Sequence, residues 1–182
     1  MKGPALPMIE RVLLTREQID QRLKEVAAEI SNHYRHGNLK LIGVLKGSVF
    51  FLTALARELT IPVKVDFLAI SSFSNQGSAP GVVRIAKDLD ESIEGEDVLL
   101  VEDIVDTGFT ARYLLQTLAG RGPNSIALCT MLDRTPRRIV PLQVDFCCFD
   151  IPDRFVIGCG LDFKQLYRNL DFIAVMKPDK TQ

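Results

Sequence analysis

The sequence predicts an α/β domain: a mainly parallel sheet flanked by helices. Two observations carry this. Short, nearly unbroken apolar runs recur along the chain, as in strands buried on both faces, and stretches with apolar residues at helical spacing lie between them. No internal repeat, low-complexity block or interdomain linker interrupts the alternation. With 182 residues, 47% of them hydrophobic, the chain can bury one substantial core and is short for two, so residues 1–182 are read as a single domain.

Each element has its own warrant. Thr15 to Gln18 forms a capping-box pattern, and Ile19, Leu23, Val26, Ala27 and Ile30 follow at helical spacing until Gly37 stops the helix. "LKLIGVL" (39–45) reads as a buried strand that ends in Lys46-Gly47-Ser48, with a helix from there to about Glu58. "VKVDFLAI" (63–70) is a second strand. The loop after it, about 71–83, is rich in Ser, Gly and Asn and long for a compact domain, so it is expected to be a flexible lid. Val98–Val101 is the next strand, with a helix from about Thr110 to Gly120. Strands follow at 125–132, 144–149 and 155–157, then a short helical piece at 163–169 and a last strand at 172–176. In such sheets ligands sit beyond the carboxyl ends of the strands. Lys46 and Glu102-Asp103 are expected to project there, each just past a strand.

Composition excludes several classes. Acidic and basic residues number 23 and 22, so no global field recruits nucleic acid or a membrane surface. No apolar run approaches the roughly 18 residues of a membrane span, and the first ten residues lack the apolar core of a signal peptide. The four cysteines, at 129, 147, 148 and 159, form no C-x-x-C pair and are read as reduced packing residues of a cytoplasmic protein. His33 and His36, at the end of the first helix, are read as a solvated helix end.

The chemistry concentrates in "VLLVEDIVDTGFTA" (98–111). Thr107, Gly108 and Thr110 are small residues at a helix start, where backbone N–H groups and hydroxyls hold a phosphate. A phosphate held by amides leaves the neighbouring acids for other work. Glu102 and Asp103 suit a sugar diol and a hard cation such as Mg²⁺. Asp106 is close enough to touch whatever is attached to that sugar. Taken alone, Asp106 could be a helix N-cap and Lys46 an ordinary surface cation. Together the phosphate-holding loop and the three acids describe a ribose 5-phosphate with a group transferred at its anomeric carbon.

This segment resembles the phosphoribosyl-diphosphate motif of type I phosphoribosyltransferases. With "GVLKGS" (43–48), "MLDRTPRR" (131–138) and "FDIPDRFVIGCGLDFKQLYRNL" (149–170), the chain is similar to the hypoxanthine-guanine phosphoribosyltransferases from about residue 39 to 178. The resemblance implies a small hood built from the chain ends. It also implies transfer of the phosphoribosyl group from phosphoribosyl diphosphate to 6-oxopurine bases, with Mg²⁺ as cofactor, in a homodimer or homotetramer. It makes Asp106 the catalytic proton acceptor. Glu102 and Asp103 face the ribose and metal, and Asp106, Thr107, Gly108, Phe109 and Thr110 hold the phosphate. Lys46, Gly47 and Arg168 meet pyrophosphate, with a cis peptide often found just before the lysine. Arg134 meets the purine exocyclic oxygen, Phe155 stacks on the base and the Val156 backbone reads its edge, while Asp162 lies near both that edge and a second metal. Ser72 and Phe73 belong to the lid. Arg134 stands where the family usually has Lys, and Phe73 where it usually has Tyr. A sensor of phosphoribosyl diphosphate on the same fold, or a xanthine-preferring enzyme, are the rival readings.

Overall fold

The computed structural model describes residues 8–72 and 83–177. A six-stranded sheet forms its centre, in the order β4-β3-β2-β5-β6-β7. Its strands are β2 (Leu39–Leu45), β3 (Val63–Ser72), β4 (Val83–Lys87), β5 (Asp97–Val105), β6 (Ser125–Asp133) and β7 (Phe146–Asp150). All neighbours pair in parallel except β4, which runs antiparallel to β3 at the edge.

Side-chain alternation divides the core. Leu39 and Leu41 of β2, with Leu99 and Val101 of β5, enter one cluster; Ile42, Val44, Val98 and Leu100 enter the other. Helices α1 (Arg16–His33) and α2 (Ser48–Glu58) cover the first face, through Leu23, Val26, Ile30, Phe51 and Leu55. The second is covered by α3 (Phe109–Ala119), through Ala111, Leu114 and Leu118. Each fully buried leucine contributes about 1.5–3 kcal/mol by leaving water. The expected capping box is present on α1: Thr15 Oγ1 accepts from Gln18 N–H at 3.4 Å, and Thr15 N–H donates to Gln18 Oε1 at 2.9 Å.

A second sheet, in the order β1-β9-β8, joins β1 (Ile9–Leu14), β8 (Val156–Ile157) and β9 (Ile173–Met176), all antiparallel. It matches the hood that the resemblance implied. The apolar pattern gave no warning of β1 or β4. Three of the six β1 residues are exposed, and β4 is a short edge strand carrying Arg84 and Lys87, so neither shows a buried run.

Two expectations are corrected. Residues 163–169 form no helix: Lys164, Gln165 and Tyr167 have positive φ, a handedness that a right-handed helix cannot contain. The segment doubles back instead, with Gly160 N–H donating to the Arg168 carbonyl and Cys159 N–H to that of Leu170, both at 2.9 Å. Glu102 and Asp103 do not follow β5 but lie inside it, since the strand runs on to Val105 beside β6. The expected lid falls mostly on 73–82, Phe73 included, outside the described residues; Ser72 closes β3.

Candidate active site

The carboxyl ends of β2 and β5 open into a cavity of about 270 Å³. Lys46 and Gly47 line one side, and the loop from Asp106 to Thr110 lines the other. Glu102 and Asp103 lie between them, and Arg168 reaches in from the doubled-back segment. The Leu45–Lys46 peptide bond is cis. Gly108 caps α3 with a left-handed φ of 87°, a conformation that favours glycine. The first N–H groups of a helix have no partner within it, so this loop offers donors to an anion. Phe109, the first residue of α3, is half exposed, its ring 5.9 Å from the Arg112 guanidinium.

Gly47 is fixed by what faces it. A Cβ there would collide with the Asp103 carboxylate, and one on Gly160 would collide with the Gly47 carbonyl. Two stretches of backbone and one acid therefore meet where no side chain fits. Arg168 is held at the same place, with Nη1 donating to the Gly160 carbonyl at 2.6 Å and Nη2 2.7 Å from Asp162 Oδ1.

The buried acids are electrostatically expensive. Burial pushes the Glu102 carboxyl well above the usual carboxylate range, and the charge of Asp103 adds to this. Burial also raises Asp103, opposed by backbone N–H groups, one of them Ile104 N–H at 2.9 Å from Oδ1, and by Arg168. Hard carboxylate oxygens of this kind fit Mg²⁺, which commonly takes one or two carboxylates and completes its shell with substrate oxygens and water. Among the described residues no three metal-ligating side chains gather, so such an ion would need ligands from outside the chain.

A second cavity, of about 430 Å³, adjoins the first and is lined by Arg134, Arg137, Phe155, Val156 and Asp162. Asp103, Ile104 and Asp106 line both. Val156 belongs to β8, the edge strand of the hood, so among the described residues no further strand uses its outer backbone edge. Phe155 is 52% exposed and packs edge-on against Phe163 at 5.9 Å, leaving a face for a flat ligand. Asp106 stands between two arginines: Arg137 Nε is 3.1 Å from Oδ1 and Arg134 Nη1 is 3.5 Å from Oδ2.

The described site residues of the sequence reading line one of two adjoining cavities, except Phe109, which follows the Gly108 cap, and Ser72, which closes β3. Arg137 was missed. It lies three residues beyond Arg134 across a 3-10 turn (Thr135–Arg137), a spacing that eclipses side chains, and the Pro in "RTPR" was the available signal for it.

A sugar-phosphate site beside a flat-ligand site is what a phosphoribosyl-transferring protein needs, and residues 13–164 match the family described as the phosphoribosyl transferase domain. The chain is 45% identical to the hypoxanthine-guanine phosphoribosyltransferase of Mycobacterium avium, over 93% of this chain and 87% of that one. The structure of a hypoxanthine phosphoribosyltransferase from Staphylococcus aureus superposes with a TM-score of 0.93 at 37% identity, covering 100% and 99% of the two chains. That of the Trypanosoma cruzi enzyme in complex with the product IMP gives 0.89 at 40% identity, over 94% and 96%. The chain belongs to the phosphoribosyltransferase family, on its hypoxanthine-guanine branch.

Proposed function

We propose that the protein transfers the 5-phosphoribosyl group of phosphoribosyl diphosphate to hypoxanthine or guanine, giving IMP or GMP and pyrophosphate. The observation that carries this reading is the shared wall. Asp106 lines both cavities, which supports a reading in which one carboxylate faces the sugar in the first and the base in the second. The relatives' names supply the substrate class.

In the proposed reaction a ring nitrogen of the base forms a bond to the anomeric carbon as the bond to pyrophosphate breaks. The electron pair of the broken bond leaves with pyrophosphate, and the proton on the base passes to the Asp106 carboxylate. Positive charge grows on the sugar meanwhile, so the carboxylates of Asp103 and Asp106 interact more favourably with the transition state than with the bound substrate. Lys46 and Arg168 receive the departing diphosphate. Arg134 donates to the exocyclic oxygen, Phe155 stacks on the ring and the Val156 backbone reads its edge. Mg²⁺, held by Glu102 and Asp103 with Asp162 near the base edge, would neutralise charge on the diphosphate when bound. We further propose a cytoplasmic location and assembly into dimers or tetramers, which a native mass measurement would read. Unpaired cysteines fit a reducing compartment, and among the described residues no helix is long and apolar enough to cross a membrane.

The test is a nucleobase panel with phosphoribosyl diphosphate and Mg²⁺, followed by absorbance. Hypoxanthine or guanine should be consumed, and EDTA should stop it. Asp106→Asn should lower kcat by about 10²–10⁴-fold, the usual share of a positioned base, while IMP still binds. Tight binding of phosphoribosyl diphosphate with no base consumed would sink the reading, and near-normal turnover by Asp106→Asn would remove that residue from its role.

A further inference from the structure

The turn after β6 carries more than Arg134. Asp133, the last residue of β6, is buried, and Arg138 Nη2 donates to both its carboxylate oxygens, at 2.5 and 2.6 Å. Arg138 Nη1 donates to the Leu142 carbonyl at 3.0 Å. The chain between these partners is bonded to the loop of the first cavity. Arg134 N–H donates to the Val105 carbonyl at 2.9 Å, and the N–H groups of Ile139 and Val140 both donate to the Thr107 carbonyl, at 3.0 and 3.3 Å. Packing adds another contact: a Cβ on Gly108 would meet Arg138 Cδ and Val140 Cγ2, each at 3.0 Å.

Arg138 lines neither cavity, so it is not placed to touch a ligand. Stability alone is a weak reason for the pair. A buried ion pair is often no better than an apolar one of the same shape, and here the Arg138 Nε–H is buried without an acceptor, which costs more. What the pair supplies is geometry. It closes a staple from the end of β6, around the turn, to the underside of the helix start that offers amides to an anion.

We propose that the Arg138–Asp133 pair holds residues 106–110 in the shape that binds a 5-phosphate, which makes Arg138 a positioning residue for phosphoribosyl diphosphate. This rests on the function proposed above. Amides aimed at one anion lose affinity when the loop shifts by a fraction of an ångström, so the effect belongs in the KM for phosphoribosyl diphosphate.

The experiment compares wild type, Arg138→Met, Arg138→Lys and Asp133→Asn for kcat, both KM values and Tm, assayed well below every Tm. Arg138→Met keeps the packing on Gly108 and removes the pair. It should raise the KM for phosphoribosyl diphosphate about tenfold, with a much smaller change for hypoxanthine at saturating co-substrate. Arg138→Lys, which keeps the charge on Asp133 but lacks the second arm to Leu142, should fall between. A lowered Tm with the KM for phosphoribosyl diphosphate within about twofold of wild type would show a merely structural pair and overturn the proposal. Should Arg138→Met fail to fold, Asp133→Asn decides by the same readout. If wild type consumes no base, the functional reading has failed on its own. The rise in Tm given by phosphoribosyl diphosphate then reports the loop directly, and an equal rise in wild type and variants would overturn the pair's role.

Discussion

Glu102 sits 7% exposed in the middle of a cleft, beside a second acid, and its carboxyl is raised by the loss of water around it. The consequence for stability has a definite sign. In the unfolded chain the group titrates near 4.5, and in the folded protein well above that. The native state therefore holds the proton more tightly, and the stability this gives is present below 4.5 and is lost as pH rises through the folded value. Glu102→Gln removes the titration. Without Mg²⁺ its Tm should exceed that of wild type at about pH 8, and the gap should shrink toward pH 4.5. Thermal melts across that range check this; a gap independent of pH would mean that the charge of Glu102 is not what costs stability. The motif "VEDIVDTG" already showed that acids crowd a phosphate-holding loop. It could not show that two of them lie within a strand, because β5 runs past Val101 only where β6 continues beside it.

At the scale of elements, the strands buried on both faces and the capped first helix were legible because their signals are local: apolar runs, helical spacing, a Thr-x-x-Gln box. The segment from Gly158 to Leu170 was not. Its shape comes from bonds between residues eight and eleven apart and from glycines whose need is visible only once the Gly47 and Phe172 carbonyls lie opposite Gly160 and Gly158. Gly160 has φ of 98°, and any Cβ there meets the Gly47 carbonyl. Gly160→Ala should push this segment off the Lys46–Gly47 strip and carry Arg168 with it. In the reverse reaction the KM for pyrophosphate should rise by about tenfold or more, with a smaller change for IMP. Equal changes in both would argue for a general loosening instead. Arg137 teaches the same lesson in miniature. A basic turn looks solvated in sequence, and only the 3-10 geometry sets it against Asp106.

Over the whole molecule, Cys129 and Cys148 are buried in the core under the first pair of helices, and Cys147 and Cys159 are half-buried. Burial first of all pushes Cys147 and Cys159 up to about 11, Cys148 to about 12, and Cys129 well above its usual range. The thiolate is the reactive form, so a thiol reagent at neutral pH should label the native protein slowly, with Cys129 and Cys148 waiting on opening of the core, whereas in urea all four should react at once. A single fast-reacting cysteine in the native state would contradict this picture. The hood adds a matter of timing. Its central strand is β9, at Ile173–Met176, and β8, which presents Val156 to the second cavity, pairs among the described residues with β9 and with no other strand. As the chain leaves the ribosome, the sheet, the helix start at Gly108 and the Lys46–Gly47 strip are all synthesised before their counterpart at Ile173 appears. A growing chain can therefore form the sugar-phosphate half first, Arg168 excepted, and the wall that would discriminate one base from another is assembled last.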